Sequence, residues 1–147
     1  MIYLVDTNVL LRFLRHDDPS HQIVQDAVHK LEAGGHQLQT TLQNLAEFWN
    51  VSTRPANENG FGQTPVETDQ LLQELEILFS LLSDSDDVYR EWRRLVVKYN
   101  VAGVQVHDAR LAAAMIAHNV THILTFNVTD FERYEPEGIM AVDPAGI

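Results

Sequence analysis

Short β-prone runs alternate with stretches of helical apolar spacing along nearly the whole chain, and this alternation restricts the fold more than any other feature. Ile2-Tyr3-Leu4-Val5 reads as a buried strand. Asp6-Thr7-Asn8 follows, three residue types that favour helix N-caps, and Val9 to Leu14 reads as a helix. Asp18-Pro19 has the form of the next helix start, and Ile23, Val24, Ala27, Val28 and Leu31 keep helical spacing until Gly34-Gly35 ends it. Gln37 to Thr41 reads as a second strand, and a helix from Leu42 to Thr53 carries Leu45, Phe48 and Trp49 toward the core. Arg54 to Gln63 is the main loop. Thr64-Pro65-Val66-Glu67 has the spacing of a capping box and opens a helix to about Leu75, with a third strand expected over Ile77 to Leu82. Asp84 to Asp87 places acids at the start of a helix running to Tyr99, where the helix dipole favours them. His107-Asp108 opens an alanine-rich helix to His118, His122 to Thr125 is a fourth strand, and Ile139 to Val142 is a small further one. Strands alternating with helices predict an α/β fold with a mainly parallel sheet of four to five strands, and 147 residues fit a single domain, 1–147.

In such a sheet, sites form at the carboxyl edge of the strands, where the following helices begin. Asp6 directly follows the first strand, Glu47 lies in an early turn of the helix after the second, Asp108 opens the helix before the fourth, and Asn127 and Asp130 follow the fourth. Distant parts of the chain thus bring oxygen ligands to one edge. Clustered carboxylates cannot all ionise without protons or a cation to offset their repulsion. Oxygen ligands without cysteine select Mg²⁺ or Mn²⁺ over zinc. Such ions neutralise phosphate oxygens and acidify water, which is the chemistry of phosphodiester hydrolysis. Each acid also has a purely structural reading. Asp6 alone could be a helix cap, Glu47 a member of the solvated stripe Gln43, Glu47, Asn50, Arg54, Asp108 a first-turn acid, and Asp130 the cap of a short turn before Phe131.

Composition narrows the classes. No cysteine is present, which removes disulfides, thiolate metal sites and a Cys nucleophile and suits a cytoplasmic location. The N-terminus runs into Asp6 without a basic leader, so no signal peptide is expected, and the longest apolar stretch, near Leu111 to Ala117, is too short to span a bilayer. The net charge of −11 repels nucleic-acid backbones at long range, an objection that a bound cation would answer locally.

Four blocks together resemble a PIN domain, and specifically the VapC-type toxins of toxin–antitoxin pairs. They are Val5-Asp6-Thr7-Asn8-Val9-Leu10, Asn44-Leu45-Ala46-Glu47-Phe48-Trp49, His107-Asp108-Ala109-Arg110-Leu111-Ala112-Ala113 and Ile123-Leu124-Thr125-Phe126-Asn127-Val128-Thr129-Asp130-Phe131. Each is short, but their order and spacing match over nearly the whole chain. The resemblance implies a three-layer α/β/α domain and a metal-dependent endoribonuclease, with Asp6, Glu47 and Asp108 at the family's three acidic positions. Many relatives carry an Asp where this sequence has Asn127, although Asn also occurs there, and Asp130 would supply the remaining charge. Asp6 and Asp108 would hold the principal Mg²⁺ or Mn²⁺ with help from Glu47, and water would attack the scissile phosphorus in line to leave 5′-phosphate and 3′-hydroxyl ends. Thr7, Asn8, Thr125 and Asn127 would support the acids. The resemblance further implies an RNA substrate such as tRNA or another structured RNA, a cognate antitoxin, a homodimer and no membrane association.

Other features have simpler accounts. His107 reads as a helix-start histidine, and His118 and His122 are divided by a helix end and a strand start. Arg90, Arg93 and Arg94 form a basic patch, but Asp86 and Asp87 stand at helical spacing from Arg90 and pair with it. Arg12 and Arg15, on the first helix, are better placed for RNA. Trp49 and Trp92 read as packing residues. Three alternatives remain: a receiver-like signalling domain, which wants a lysine after a late strand where only Lys30 and Lys98 exist; a PIN-like binding module that does not cut; and a DNA-cleaving nuclease.

Overall fold

The computed structural model describes all of residues 1–147. Five strands form one sheet: β1 (Ile2–Val5), β2 (Gln37–Thr41), β3 (Ser80–Leu82), β4 (His122–Leu124) and β5 (Met140–Val142). Every pairing is parallel and the order across the sheet is β3-β2-β1-β4-β5. Six α-helices connect the strands: α1 (Thr7–Leu14), α2 (His21–Ala33), α3 (Leu42–Thr53), α4 (Pro65–Leu78), α5 (Asp86–Lys98) and α6 (Val106–Ala117). None is long and apolar enough to cross a membrane.

Alternation along the strands divides the core in two, because successive side chains leave a strand on opposite faces. Tyr3, Val5, Leu38 and Leu124 pack with residues of α1, α2, α3 and α4, among them Val9, Leu10, Val24, Phe48 and Leu75. Leu4 and Ile123 pack on the other face with α5 and α6. The sheet is therefore the middle layer of three. In α6 the run Leu111 to Met115 is wholly buried, and its small alanines let that helix pack closely against α5.

The strand order sets the site. From β1 the chain moves outward through β2 to β3, then returns to the opposite side of β1 as β4 and β5. At such a reversal the loops beyond the carboxyl ends of the two central strands part and leave a crevice. Here those strands are β1, which ends at Val5, and β4, which ends at Leu124.

Several boundaries differ from the sequence expectation. Helix α1 starts at Thr7, with Asp6 as its N-cap accepting from the Thr7 N–H. Helix α2 starts at His21, because Asp18 forms a turn in which its side chain accepts from Ser20 N at 2.8 Å and its carbonyl from His21 N. Helix α4 continues through Leu78, so Ile77 and Leu78 do not belong to the third strand. Leu71, Leu72, Leu75 and Leu78 pack on the core as one helical face continued by Phe79, while Ile77 faces out with 81% of its surface exposed. The chain between β4 and β5 winds through 3₁₀ turns over Val128–Glu137, where no regular element was expected. Gly35, at φ 79°, ends the α2 turn in the left-handed region that favours glycine.

Candidate active site

Asp6 is the centre of the crevice. Its backbone N–H donates to Leu124 O at 3.0 Å, which ties the end of β1 to the end of β4. The side chain is buried and accepts from four donors. Oδ1 takes the Thr7 N–H at 2.8 Å and Asn44 Nδ2 at 3.2 Å. Oδ2 takes the Thr125 hydroxyl at 2.8 Å and Asn8 Nδ2 at 3.1 Å. Burial raises the Asp6 pKa, opposed by the bonds from Thr125, Thr7 and Asn8, while the charge of Glu47 adds to the rise.

Glu47 lies on α3, half-buried beside Asp6. Thr7 donates its hydroxyl to Glu47 Oε2 at 2.8 Å and accepts Asn44 Nδ2 at 3.1 Å. Gln43, one turn earlier on α3, donates to Glu47 Oε1 at 3.4 Å and to the carbonyl of His107 at 2.8 Å, so it links α3 to the start of α6. Asp108 is the third residue of α6, within its first turn. Its pKa is pushed up to about 6, first by burial, then by the negative charges of Asp130, Asp6 and Glu47, with only His107 pulling it down. Asp108 thus lies within electrostatic reach of three other carboxylates, each from a separate part of the chain. Asp108 and Asp130 also share the wall of a cavity of about 90 Å³ with Gln105, Thr129, Arg133 and Tyr134. The carboxylates are neighbours without converging, since no three His, Asp or Glu side chains are set to close on a single ion.

The supporting residues divide clearly. Thr7, Asn8 and Thr125 each bond to an acid. Asn8 also donates to Thr125 Oγ1 at 3.2 Å and accepts the Phe126 N–H at 3.1 Å, which binds the loops after β1 and β4 together. Asn127 is exposed and reaches this network through its backbone, whose N–H donates to Thr125 Oγ1 at 3.0 Å. Arg12 lies one turn from Asn8, donating to the Asn8 carbonyl at 2.9 Å with its guanidinium over the Phe126 ring. Arg15 is directed elsewhere, toward Asp17 at 3.2 Å and over Phe61.

Sequence reasoning assigned no role to Asn44 and did not find Arg133. Asn44 is fully buried, and its Oδ1 accepts from Thr41 Oγ1 at 2.7 Å while its Nδ2 reaches both Asp6 and Thr7. It is held in that pose by the capping box that starts α3, and the Thr41-Leu42-Gln43-Asn44 spacing was the available signal. Arg133 had none, because it meets the acids only through the irregular chain after β4. The histidines behave as expected: His118 bonds Ser83 O and His122 bonds Thr121. Arg90 pairs with Asp87. The indole of Trp92 donates to Val106 O at 3.0 Å, joining α5 to the start of α6.

The profile of the PIN domain matches residues 3–135. The chain belongs to the PIN domain family. No curated protein sequence matches it. Solved PIN structures match it over almost their full length. The structure of VapBC2 from Rickettsia felis, bound to a DNA fragment from their promoter, superposes with a TM-score of 0.70 at 18% identity, covering 97% of this chain and 98% of that one. A toxin–antitoxin complex from Klebsiella pneumoniae gives 0.66 at 21% identity, with 99% of each chain covered. VapC20 from Mycobacterium tuberculosis, described as a Sarcin-Ricin loop cleaving toxin, gives 0.65 at 15% identity, covering 97% of this chain and 98% of that one. This PIN domain thus has the fold of the VapC-type toxins.

Proposed function

We propose that this PIN domain is a divalent-metal-dependent endoribonuclease of the VapC toxin kind. The observation that carries the reading is the linkage of four acids from separate elements: Thr7 joins Glu47 to Asp6, Gln43 joins Glu47 to the start of α6, and Asp108 of α6 shares a cavity wall with Asp130. A fold that gathers repelling carboxylates in a partly dry crevice is suited to a cation. The donors are all carboxylate oxygens, the chemistry Mg²⁺ and Mn²⁺ prefer. Asp6, Glu47 and Asp108 would hold the ion, with Asp130 in reach through water. Once bound, it would stabilise charge on the phosphate and make water a competent nucleophile.

The chain's own part is to hold these oxygens still. Four donors keep Asp6 in one rotamer, and the bonds from Thr125, Thr7 and Asn8 oppose the rise in pKa that burial imposes. Thr7 holds Glu47 relative to Asp6, and Gln43 holds α3 relative to α6. Arg12, held by the Asn8 carbonyl, the Phe126 ring and Asp18 at 3.8 Å, would meet an adjacent RNA phosphate, whereas Arg15 is engaged by Asp17 and Phe61. The substrate would be RNA, for instance tRNA or another structured RNA, as the cleaving relative supports. Relatives solved with their antitoxins support a cognate antitoxin here. A homodimer and a cytoplasmic location complete the reading.

A non-cutting PIN module is the second reading, favoured by Asn127 and by the unconverged acids. Incubation with end-labelled structured RNAs separates the two. Cleavage with Mn²⁺ or Mg²⁺ that is lost in EDTA and lost again in Asp6→Asn is the expected result. Cleavage surviving both would overturn the carboxylate mechanism. Mn²⁺ binding without cleavage of any RNA would favour the non-cutting module.

A further inference from the structure

Between α5 and the start of α6 lies an open cavity of about 430 Å³ that the acidic centre does not use. Val88, Val106 and the rings of Tyr89 and Trp92 line it, together with Asp84, Arg110 and His107. Tyr89 and Trp92 are three residues apart on α5 and so share a face, with ring centroids 6.4 Å apart and planes 30° from parallel. The Trp92 ring is fixed by its N–H, which donates to Val106 O at 3.0 Å. Tyr89 is 56% exposed, a large aromatic surface left in water beside apolar side chains. Apolar and aromatic walls with a few polar groups are the usual make-up of a small-ligand pocket. The polar groups here are complementary: the Arg110 guanidinium donates to Asp84 at 2.7 Å, and both side chains are about half exposed. Such a pair is weak in water, so a ligand that offers both donors and acceptors can take its place. The cavity also adjoins the acids. His107 lines it, Asp108 is the next residue, and Gln43 holds the His107 carbonyl and Glu47 together.

We propose that this cavity is a base-recognition subsite, which takes an unpaired guanine of the RNA strand whose backbone lies at the acids. The inference rests on the ribonuclease reading above and adds what selects the strand. An unpaired base can turn out of its strand, stack on an aromatic side chain and be read along its edges. Tyr89 supplies the exposed ring and Trp92 the fixed one. A carboxylate only accepts hydrogen bonds and a guanidinium only donates them. Guanine answers both: its N–H groups face an acceptor on one edge, and its O6 and N7 face a donor on the other. Asp84 would take the first edge and Arg110 the second. Uracil lacks the amino group and the paired acceptors, so it would leave the two side chains bonded to each other.

The test measures binding of fluorescein-labelled oligouridylate, and of the same strand with one central guanosine, to the full chain in EDTA by anisotropy. Wild type, Tyr89→Ala, Tyr89→Phe and Asp84→Asn are compared after circular dichroism confirms folding, and sedimentation gives the oligomeric state of each. The guanosine strand is expected to bind wild type about tenfold more tightly than oligouridylate. Tyr89→Ala should weaken its binding about tenfold, while Tyr89→Phe, which keeps the ring, should restore it. Asp84→Asn should bring the two strands to the same affinity. Equal binding of both strands by wild type, or wild-type affinity in Tyr89→Ala, would refute the subsite and leave the ribonuclease reading standing. A dimer that Tyr89→Ala splits into monomers would show that a second copy covers this face, and would also refute it. Wild-type protein that binds neither strand would overturn both readings. Guanosine-dependent binding by a protein that cleaves no RNA would keep the subsite and remove the nuclease.

Discussion

Replacing Asp108 with Asn should stabilise the metal-free protein at neutral pH. The carboxyl is pushed from 3.8 up to about 6 by burial and by Asp130, Asp6 and Glu47. At about 1.4 kcal/mol for each tenfold, that rise corresponds to about 3 kcal/mol against the folded state. The group is only half removed from water, so screening reduces this to about 1–2 kcal/mol. A first-turn negative charge gains about 0.5 kcal/mol from the α6 dipole, which Asn forfeits. The net gain for Asn is about 1 kcal/mol, or about 3 °C in Tm for a chain of this size. The pH dependence has a definite sign. A carboxyl with a raised folded pKa contributes most below its unfolded value, and that contribution is lost as pH rises through about 6. The advantage of the Asp108→Asn variant should therefore be full near neutral pH and shrink toward zero as pH falls to the unfolded value of 3.8. Thermal unfolding in EDTA at several pH values measures it. Added Mn²⁺ should raise the wild-type Tm more than that of the variant, removing the difference. An Asp108→Asn protein no more stable than wild type at neutral pH, or equally advantaged in acid, would show that the carboxylates do not strain one another.

Three further substitutions probe the surrounding structure. Thr125→Val removes the hydroxyl 2.8 Å from Asp6 Oδ2 and should cost about 1–3 kcal/mol in urea unfolding, with metal-dependent cleavage reduced as well; unchanged stability would mean water replaces the bond at no cost. Asn44→Asp deletes the donors to Asp6 and Thr7 and sets a second carboxyl 3.2 Å from the first, so about 2–4 kcal/mol should be lost at neutral pH and much of it recovered in acid, where the pair can share a proton. Ile77→Asp should change stability by less than about 0.5 kcal/mol, because Ile77 lies on the outer face of α4; a large loss would return it to a buried strand.

The fold was legible where one pattern prevailed. Ile2 to Val5 is short, apolar and followed by cap residues, and no helix fits that; Ala109 to Ala114 is rich in alanine, the strongest helix former. Ile77-Leu78-Phe79 misled because an uninterrupted apolar run has no period to read. What decides it is the face shared by Leu71, Leu75 and Phe79, visible only once the core is known. The positions of Asp6 and Asp108 were legible because each lies beside an element boundary that the pattern already located, whereas Glu47 lies in the middle of α3. Their support was only partly so. Thr7 and Thr125 stand next to the strands, but Asn44 becomes a site residue only when α3 packs against α1, and Arg133 only when the irregular chain after β4 folds back on α6. No local spacing encodes such contacts.

The charge of −11 is consistent with an RNA partner once its distribution is considered. Several cations are already matched by acids: Arg12 with Asp18, Arg15 with Asp17, Arg90 with Asp87, Arg94 with Glu91 and Glu137, Lys98 with Glu137, and Arg110 with Asp84. These pairs contribute little field at a distance, and the excess acid repels a polyanion from afar. Beyond the Debye length, about 8 Å at physiological ionic strength, that repulsion is screened. On the ribonuclease reading, contact would be governed by groups close to the crevice, where Arg12 lies one turn from Asn8. Salt should then act in two opposed ways, weakening the long-range repulsion and weakening the phosphate contacts. Added salt should therefore reduce affinity less than it does for a basic RNA-binding protein with the same number of phosphate contacts, and the recognition that survives should come from the geometry of the site.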